Sequence, residues 1–328
     1  MRSSSVLSSV EGRFVFPSGK ESQMKYAIIS DIHGNLPVLE KVLADARSNG
    51  AERFLFLGDY CTSAPWGSGA TELIRSLPFS RYVRGNEEHS LHMPRGEDAQ
   101  FAVTYWSAGQ LKPAQLSWLD SLSETSCFEC EGTSIHMAHA SSAFLGQSEL
   151  VLAPWKLPLR YPHGNISREL FLDDARRTLA ESPVFQTSLS TLSPGVYLFG
   201  HTHIQWHARF GGCLLINPGS CGISLDCTTP GAPYTLLTVE RGQCTVQERR
   251  VSFDVETLIA QVRVSGQYAA APEWSELIFE EWRTGRERVG GFLQFVSQYA
   301  SSIQDDRRPF VRDTWQTAYR LWAEQKHP

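Results

Sequence analysis

The sequence lacks several features that would assign it to a specialised class of protein. None of its 328 residues form a hydrophobic run that approaches the length of a membrane span. Its formal net charge of −5 provides no general basic field for nucleic acid. The Ser-rich segment 1–23 has no hydrophobic centre of the kind that a secretory signal needs. We therefore expect no membrane partner, and the sequence carries no strong signature of nucleic-acid binding.

Cysteine is also used in a way that argues against a disulfide framework. There are seven cysteines, an odd number, at irregular spacing. Cys127-x-x-Cys130 has no second pair at the spacing of a zinc site. Free thiols in a reducing cytoplasm are the expectation.

The composition is that of a globular protein, with 41% hydrophobic and 20% charged residues. A chain of this length can hold one large domain and an appendage. The pattern predicts a flexible extension over 1–23, an α/β domain over 24–252 and a helical region over 253–328. At 253–328 we expect a helical cap that folds as its own domain, or alternatively a surface for a homodimer.

Local patterns within the α/β domain predict several individual elements. A helix is expected to begin at Pro37, a residue suited to the first turn. The loop over 60–69 is too rich in Gly and Pro for regular structure, and a helix over 72–77 follows it. Two helices are expected between residues 97 and 123, and a β-hairpin is expected around Glu131-Gly132.

Five apolar runs end in residues that can bind a metal ion. The runs and the residues that follow them are Tyr26–Ile29 with Asp31 and His33, Phe54–Leu57 with Asp59, Tyr82–Arg84 with Asn86, Ile135–Ala138 with His139, and Val196–Phe199 with His201 and His203. Each alone could be a helix-capping or surface residue, but five in one order favour a site. In open α/β sheets the carboxyl ends of strands are where sites are built. Glycines beside four of them would allow close approach.

This series resembles that of the calcineurin-like metallophosphoesterases, which runs Asp-x-His, Gly-Asp, Gly-Asn, His and Gly-His-x-His. The resemblance covers about 25–251. The chain length and Asn217-Pro218-Gly219-Ser220 are most similar to small bacterial phosphodiesterases, some of which hydrolyse dinucleoside polyphosphates. The resemblance implies two face-to-face β-sheets flanked by helices, a four-layer sandwich, here with a C-terminal helical extension.

The resemblance also implies a pair of divalent metal ions, with Mn expected and Fe or Zn as alternatives. The implied ligands are Asp31, His33 and His203 for one ion, Asn86, His139 and His201 for the other, and Asp59 as the bridge between them. Such a pair clamps the attacking and leaving oxygens of a phosphoryl displacement, with a hydroxide between the metals as nucleophile. His136 faces the opposite side of its strand, so His139 is the preferred ligand.

Two departures from the family narrow the expected chemistry. Phosphoprotein phosphatases carry Asp-Arg-Gly at the positions of Thr62, Ser63 and Ala64, so the Arg that grips phosphate is missing here. The family usually has His after Gly-Asn to protonate the leaving oxygen, and here that position is Glu87. A carboxyl group acts as an acid there only if burial raises its pKa. Asp59, Asn86 and Glu87 are the candidate catalytic residues.

The segment 141–165 interrupts the alternation of strands and helices with three prolines. A loop of this length in a compact domain is usually functional. It is predicted to be a lid or substrate wall, with Lys156 and Arg160 as candidate grips for a distal phosphate. The alternative is a surface insertion without a role.

The sequence thus predicts a metal-dependent hydrolase of a small phosphoester or nucleotide, either a phosphodiesterase or a nucleotide pyrophosphohydrolase. A non-catalytic binding or scaffold protein on the same fold is the alternative from another class. A serine/threonine phosphoprotein phosphatase is disfavoured by the missing Arg.

Overall fold

The computed structural model of the chain describes residues 23–146, 167–227 and 231–325. The first of two sheets consists of β1 (Met24–Ile29), β2 (Arg53–Phe56), β3 (Ser80–Tyr82), β9 (Ala232–Glu240) and β10 (Gln243–Val251). Its order is β10–β9–β1–β2–β3, with β1 parallel to β2, β2 parallel to β3, and β9 antiparallel to both β1 and β10.

The second sheet consists of β4 (Thr125–Cys130), β5 (Thr133–Ala138), β6 (Gly195–Leu198), β7 (Gln205–Phe210) and β8 (Cys213–Pro218). Its order is β4–β5–β6–β8–β7, and β5, β6 and β8 run parallel. The sequence prediction of two face-to-face sheets flanked by helices is confirmed.

Strand β1 shows why the sheets stack in this way. Side chains alternate across a strand, so every second residue points to the same face. Tyr26 and Ile28 lie in the core between the two sheets, together with Ile135 and Leu198 of the second sheet. Ala27 and Ile29, which point to the opposite face of β1, belong instead to the core between this sheet and the helices. A strand buried on both faces reads as a continuous apolar run, as this one does.

The helices of the α/β domain are α1 (Leu36–Ser48), α2 (Gly67–Ser76), α3 (Asn86–Ser90), α4 (Ala102–Gln110), α5 (Pro113–Asp120), α6 (Ser142–Leu145), α7 (Arg168–Ala180) and α8 (Pro183–Leu189). Pro37 stands in the first turn of α1, as predicted. The two helices expected between residues 97 and 123 and the hairpin at Glu131-Gly132 are also present.

One local prediction is wrong, because α2 begins at Gly67, inside the stretch predicted to be irregular. A Cβ atom at Gly67 would lie 2.0 Å from the carbonyl oxygen of Cys61, so only glycine permits this packing. Ala70 and Ile74 on the same helix are fully buried. The gain from tertiary packing here outweighs the low helix propensity of glycine.

The C-terminal helices are α9 (Val255–Arg263), α10 (Gly266–Ala270), α11 (Pro272–Thr284), α12 (Val289–Ser302) and α13 (Arg312–Ala323). Asp254 caps α9 through the amide of Thr257, at 3.0 Å. Side chains of α9 and α11 belong to the same core as β1 and α1. A separate core joins α12 and α13 around Phe292 and Trp315. None of the helices in the described ranges has both the length and the hydrophobicity of a membrane span.

Candidate metal centre

The candidate ligands lie together where the parallel strands of the two sheets end. Asp31 and His33 follow β1, Asp59 follows β2, Asn86 begins α3 after β3, His139 follows β5, and His201 and His203 follow β6. Because these strand ends meet at one edge of the sandwich, residues that are far apart in sequence come within a few ångströms.

Sharp turns in the backbone direct these side chains toward one another. Positive φ angles occur at Asp31 (51°), His33 (51°), Asp59 (56°), His201 (68°) and His203 (58°). Such angles are uncommon for residues other than glycine, and a side chain there carries backbone strain. Five of the eleven such residues in the described ranges are therefore candidate ligands. Strain of this kind gathers at functional sites, where the surrounding structure holds it in place.

Two glycines leave room for these turns to meet. A Cβ atom at Gly85 would lie 2.1 Å from Oδ1 of Asp59, and one at Gly200 would lie 2.4 Å from Oδ2 of Asp31. Any larger residue would displace a carboxylate from the centre. The close approach expected from the glycines in the sequence is confirmed.

The first group of side chains is Asp31, His33 and His203, whose ligand atoms lie within 4.8 Å of one another. Nε2 of His33 is 3.0 Å from Nε2 of His203, which is in turn 3.3 Å from Oδ1 of Asp31. If two nitrogens each lie about 2.1 Å from one cation and the angle between the two bonds is a right angle, the nitrogens are about 3.0 Å apart. The group therefore fits a single divalent cation.

The second group joins Asn86, His139 and His201. Oδ1 of Asn86 is 2.9 Å from Nε2 of His139 and 2.9 Å from Nδ1 of His201. Oδ2 of Asp59 lies 3.2 Å from the same nitrogen of His139, and the ligand atoms of Asp31, Asp59 and His139 fall within 4.8 Å. Asp59 thus lies close to His139 of the second group and to Asp31 of the first.

Two imidazoles are held in the tautomer that a metal ligand requires. Nδ1 of His139 is 2.7 Å from the carbonyl oxygen of Leu57, and Nδ1 of His203 is 2.8 Å from that of Ile223. Because a carbonyl only accepts hydrogen bonds, each Nδ1 carries the proton and donates it. Each Nε2 then presents its lone pair to the centre, the usual arrangement around a bound metal.

The charges and the donor set also fit cations. Oδ1 of Asp31 is buried and accepts no hydrogen bond within the described ranges. Burial opposes ionisation of Asp31, but the positive charge of His203, when both of its ring nitrogens carry a proton in the metal-free protein, outweighs burial and holds the pKa of that carboxyl well below its usual range. Burial, with His203, lowers the pKa of His33 to about 4. Carboxylate, amide and imidazole donors without a thiolate suit Mn, Fe or Zn.

Glu87 lies at the edge of the second group and is half-buried. Its carboxylate accepts a hydrogen bond of 2.9 Å from Thr62, and its backbone N–H donates to Oδ1 of Asp59 at 2.9 Å. Burial and then the charge of Asp59 raise the pKa of Glu87 to about 7. Thr62 and Glu87, at the two stretches where the sequence departs from the expected pattern, are therefore in direct contact.

Sequence reasoning missed Glu88, which is fully buried. Its Oε2 accepts from the amides of Asp59 and Gly85, both at 2.9 Å, and its Oε1 accepts from the amide of Tyr60 at 2.8 Å. Burial and then Asp59 raise the pKa of Glu88 to about 7. Glu88 ties the turn that carries Asp59 to the turn that carries Asn86. Its place at the third position of α3, reaching back to Gly85, is a capping signal that could have identified it.

Asn217 and Ser220 hold two further ligand-bearing turns. The side-chain amide of Asn217 donates to the carbonyl of Gly200 at 2.9 Å, and the hydroxyl of Ser220 donates to the carbonyl of Asp31 at 2.8 Å. The Asn-Pro-Gly-Ser stretch therefore holds ligand-bearing turns in place. The sequence showed this stretch only as a similarity.

The other residues that the sequence suggested for the site lie apart from the two ligand groups or outside the described ranges. His136 stacks on Tyr197 at 4.6 Å between ring centroids, and its ring is absent from both ligand groups. Lys156 and Arg160 fall in 147–166, outside the described residues, as does most of the predicted lid.

A cavity of about 580 Å³ lies elsewhere, against α7, β7 and β10. Two of the arginines that line it, Arg176 and Arg177, are paired with Asp173 and Asp174 on their own helix. None of the candidate ligands lines it. The clustering of titratable groups with strained turns therefore marks the strand-end site rather than this cavity.

Comparison with solved structures supports the fold. A metallophosphoesterase from Sphaerobacter thermophilus is similar with a TM-score of 0.55 and 24% identity, covering 80% of this chain and 100% of that one. Hypothetical protein PH1004 from Pyrococcus horikoshii is similar with a TM-score of 0.53 and 15% identity, covering 81% and 100%.

Sequence comparison identifies the family. An uncharacterized protein from Methanocaldococcus jannaschii is 30% identical over 120 residues, which cover 35% of this chain and 49% of that protein. The chain thus spans about half the length of this curated relative. The sequence profile of the calcineurin-like phosphoesterase superfamily domain matches residues 24–242, two thirds of the chain and all of the strand ends described above. The chain belongs to the calcineurin-like phosphoesterase superfamily.

Proposed function

We propose that the protein hydrolyses phosphoester or phosphoanhydride bonds with two divalent cations, as a phosphodiesterase or a nucleotide pyrophosphohydrolase. The observation that carries this proposal is the pair of neighbouring ligand groups, with Asp59 close to a member of each. Oδ2 of Asp59 is 3.2 Å from Nε2 of His139, and Asp31 of the other group lies within 4.8 Å of both. Divalent cations bound there supply Lewis acidity, which polarises phosphoryl oxygens and lowers the pKa of water.

The chain itself supplies positioning. His139 and His203 are oriented by backbone carbonyls, and Glu88 fixes the turn of Asp59. Ligands held in this way would need little reorganisation to bind divalent cations and to stabilise the charge that develops on the phosphoryl group. No side-chain nucleophile is required by this arrangement.

The substrate class follows from what surrounds the ligands. Thr62, Ser63 and Ala64 offer no guanidinium where phosphoprotein phosphatases have Arg, and Glu87 offers a carboxyl where the family has His. Leaving groups that need little protonation, such as nucleoside phosphates, fit this site better than a serine or threonine hydroxyl. From the sequence alone, we also propose that Lys156 and Arg160 bind a distal phosphate of the substrate.

A non-catalytic binding protein on the same fold is the second candidate, and Glu87 is the observation that favours it. A carboxylate beside the metals would repel a phosphate if it stayed ionised. Turnover separates the two candidates at once.

The decisive experiment measures hydrolysis of diesters, monoesters and dinucleoside polyphosphates after removal of metals, and again with added Mn²⁺. We expect diester or pyrophosphate hydrolysis that chelator abolishes and Mn²⁺ restores. Asp59→Asn should lower kcat by more than about 100-fold, because replacing even an outer partner of a metal ligand costs about 10–100-fold. Asp306→Asn, at an exposed position after α12, is the matched control. A folded protein without metal or turnover under all these conditions would refute the proposal.

The compartment is also part of the proposal. All seven cysteines are free thiols, and Cys61 and Cys221 are among those that are buried. Free thiols are typical of a reducing compartment, which favours the cytoplasm.

A further inference from the structure

The helices α10 and α11 lie beyond residues 24–242, which match the family profile, yet they contact the turns of the metal centre. Two side chains make these contacts. The indole N–H of Trp282 donates to the carbonyl of Gly222 at 2.8 Å, and the side-chain amide of Gln267 donates to the carbonyl of Ser63 at 2.7 Å. All four residues are buried.

Gly222 connects Trp282 to two candidate ligands. Its amide donates to the carbonyl of Asp31 at 2.9 Å. The next residue, Ile223, accepts from Nδ1 of His203 at 2.8 Å, and the amide of Leu225 donates to the carbonyl of His203 at 3.1 Å. The turn over 222–225 therefore touches Asp31 and His203 on one side and Trp282 on the other.

This turn has little freedom to shift without the ligands. A Cβ atom at Gly222 would lie 2.1 Å from the carbonyl oxygen of Ile32, so the backbones are in direct contact. The backbone of Cys227 also donates to the carbonyl of Gly285 at the end of α11, at 3.0 Å. Movement of α11 would thus be transmitted to the carbonyl that orients His203.

Gln267 contacts a second turn beside the centre, the loop after Asp59. Ser63 lies in the loop after Asp59 and has a positive φ of 73°. The amide of His33 donates to the carbonyl of Asp59 at 3.0 Å, and that of Gly34 to the carbonyl of Tyr60 at 2.9 Å. The loop that Gln267 holds is therefore bonded to the turn that carries His33.

We propose that Trp282 and Gln267 are positioning residues of the metal centre, and that the C-terminal helices set its affinity for divalent cations by fixing the two turns beside Asp31, His33 and His203. This inference rests on the metal centre of the proposed function. Hydrogen bonds that orient metal ligands typically change metal affinity about 10–100-fold when they are lost. The backbone carbonyls of Gly222 and Ser63 do not contact a ligand side chain themselves, but they belong to the turns that hold the ligand-bearing segments.

The chain offers a matched pair of variants on one helix. Trp282→Phe removes the indole N–H and its hydrogen bond while keeping an aromatic ring. Trp274→Phe, two turns earlier in α11, removes an indole N–H that is buried but has no hydrogen bond in the described structure. The two changes reduce the ring by the same amount, so their difference isolates the bond to Gly222.

The measurement is Mn²⁺ affinity of the full chain, by competition with a fluorescent chelator and with Mn²⁺ alone as the probe. We expect Trp282→Phe to bind about 10–100-fold more weakly, and Trp274→Phe to bind like the unmodified protein. Melting temperatures of the metal-free variants are measured in parallel. If the role of Trp282 is purely structural, Trp282→Phe and Trp274→Phe should both have lower melting temperatures and equal Mn²⁺ affinities.

A second variant keeps the inference testable if Trp282→Phe does not fold. Gln267→Leu removes the donor to Ser63 at similar volume, and Gln243→Leu, at the exposed start of β10, is its control. Weaker Mn²⁺ binding by Gln267→Leu alone supports the inference. Unmodified protein that binds Mn²⁺ and hydrolyses diesters, with every variant binding as tightly, overturns the inference and leaves the proposed function standing. Unmodified protein that binds no Mn²⁺ overturns both.

Discussion

Nε2 of His33 lies 3.0 Å from Nε2 of His203, although the two residues are 170 positions apart. Two imidazolium groups would repel at this distance, and burial together with His203 lowers the pKa of His33. A cation bound by both rings would stabilise the pair by accepting a lone pair from each.

From this pair we predict that Mn²⁺ stabilises the fold. At a free concentration 100 times Kd, a ligand specific for the native state adds about 2.7 kcal/mol. For a large domain this corresponds to roughly 5–10 °C in Tm. His33→Ala should lose most of the increase, whereas His92→Ala, whose ring pairs with Asp120 at the surface, should keep it. Differential scanning calorimetry with and without Mn²⁺ measures the shift. The same increase in both variants would contradict a site at His33.

Replacing Glu88 by Gln should destabilise the protein and weaken metal binding. One of its two oxygens would become an NH₂ group facing backbone N–H donors, leaving at least one buried amide unpaired. The expected cost is about 1–3 kcal/mol. Urea unfolding of the metal-free protein gives this value, with Glu40→Gln on the exposed face of α1 as control. An unchanged unfolding midpoint would show that these three bonds contribute nothing.

Glu87 should control how strongly the rate depends on the leaving group. With a carboxyl where the family has His, rates are expected to rise steeply as the leaving group becomes more acidic. Glu87→Gln should slow diesters with poor leaving groups more than activated aryl diesters, because a proton-donating group contributes about 10²–10⁴-fold. Glu87→His should partly restore the hydrolysis of diesters with poor leaving groups. Rates of a series of aryl diesters test this, and a flat dependence in all three proteins would exclude a role in protonation.

Glu248 should make stability depend on acid pH. Its carboxylate accepts bonds from Arg168 of α7 at 2.8 Å and from His207 of β7 at 2.7 Å. Burial would raise its pKa, but the bond from His207 and the charge of Arg168 outweigh burial and hold that pKa below its ordinary value. Asp226 and Arg250 complete the charged group around Arg168.

Because the folded-state pKa of Glu248 is depressed, its stabilisation is complete above the unfolded-state pKa of about 4.3 and is lost as the pH falls below it. We expect the free energy of unfolding to decrease more between about pH 5 and pH 3 in the unmodified protein than in Glu248→Gln. Glu240→Gln, at the exposed end of β9, should follow the unmodified protein. Urea unfolding in the presence of a chelator, repeated at each pH, measures this difference. A free energy of unfolding that falls equally with pH in Glu248→Gln and in the unmodified protein would refute the prediction.

Much of the fold and the grouping of the candidate ligands follows from the order of short motifs along the chain. Apolar runs such as Ile28-Ile29 predict buried strands, and the residue types that follow them predict metal chemistry. Parallel strands end at one edge, so Asp31 and His201 are expected to meet without any knowledge of the intervening helices. The structure places the backbone amide of His201 3.1 Å from Oδ2 of Asp31.

The strands, their order along the chain and the residue types at their ends can therefore be predicted without the structure, because strand periodicity and strand-end motifs are local patterns. Three features come from the packed fold instead: a helix begins at Gly67, Glu88 holds the turn of Asp59, and Gln267 reaches Ser63 from 204 positions away. These features depend on close packing and on single hydrogen bonds between distant segments. No local period or propensity encodes such contacts, since their energy exists only once the sheets and helices have been brought together.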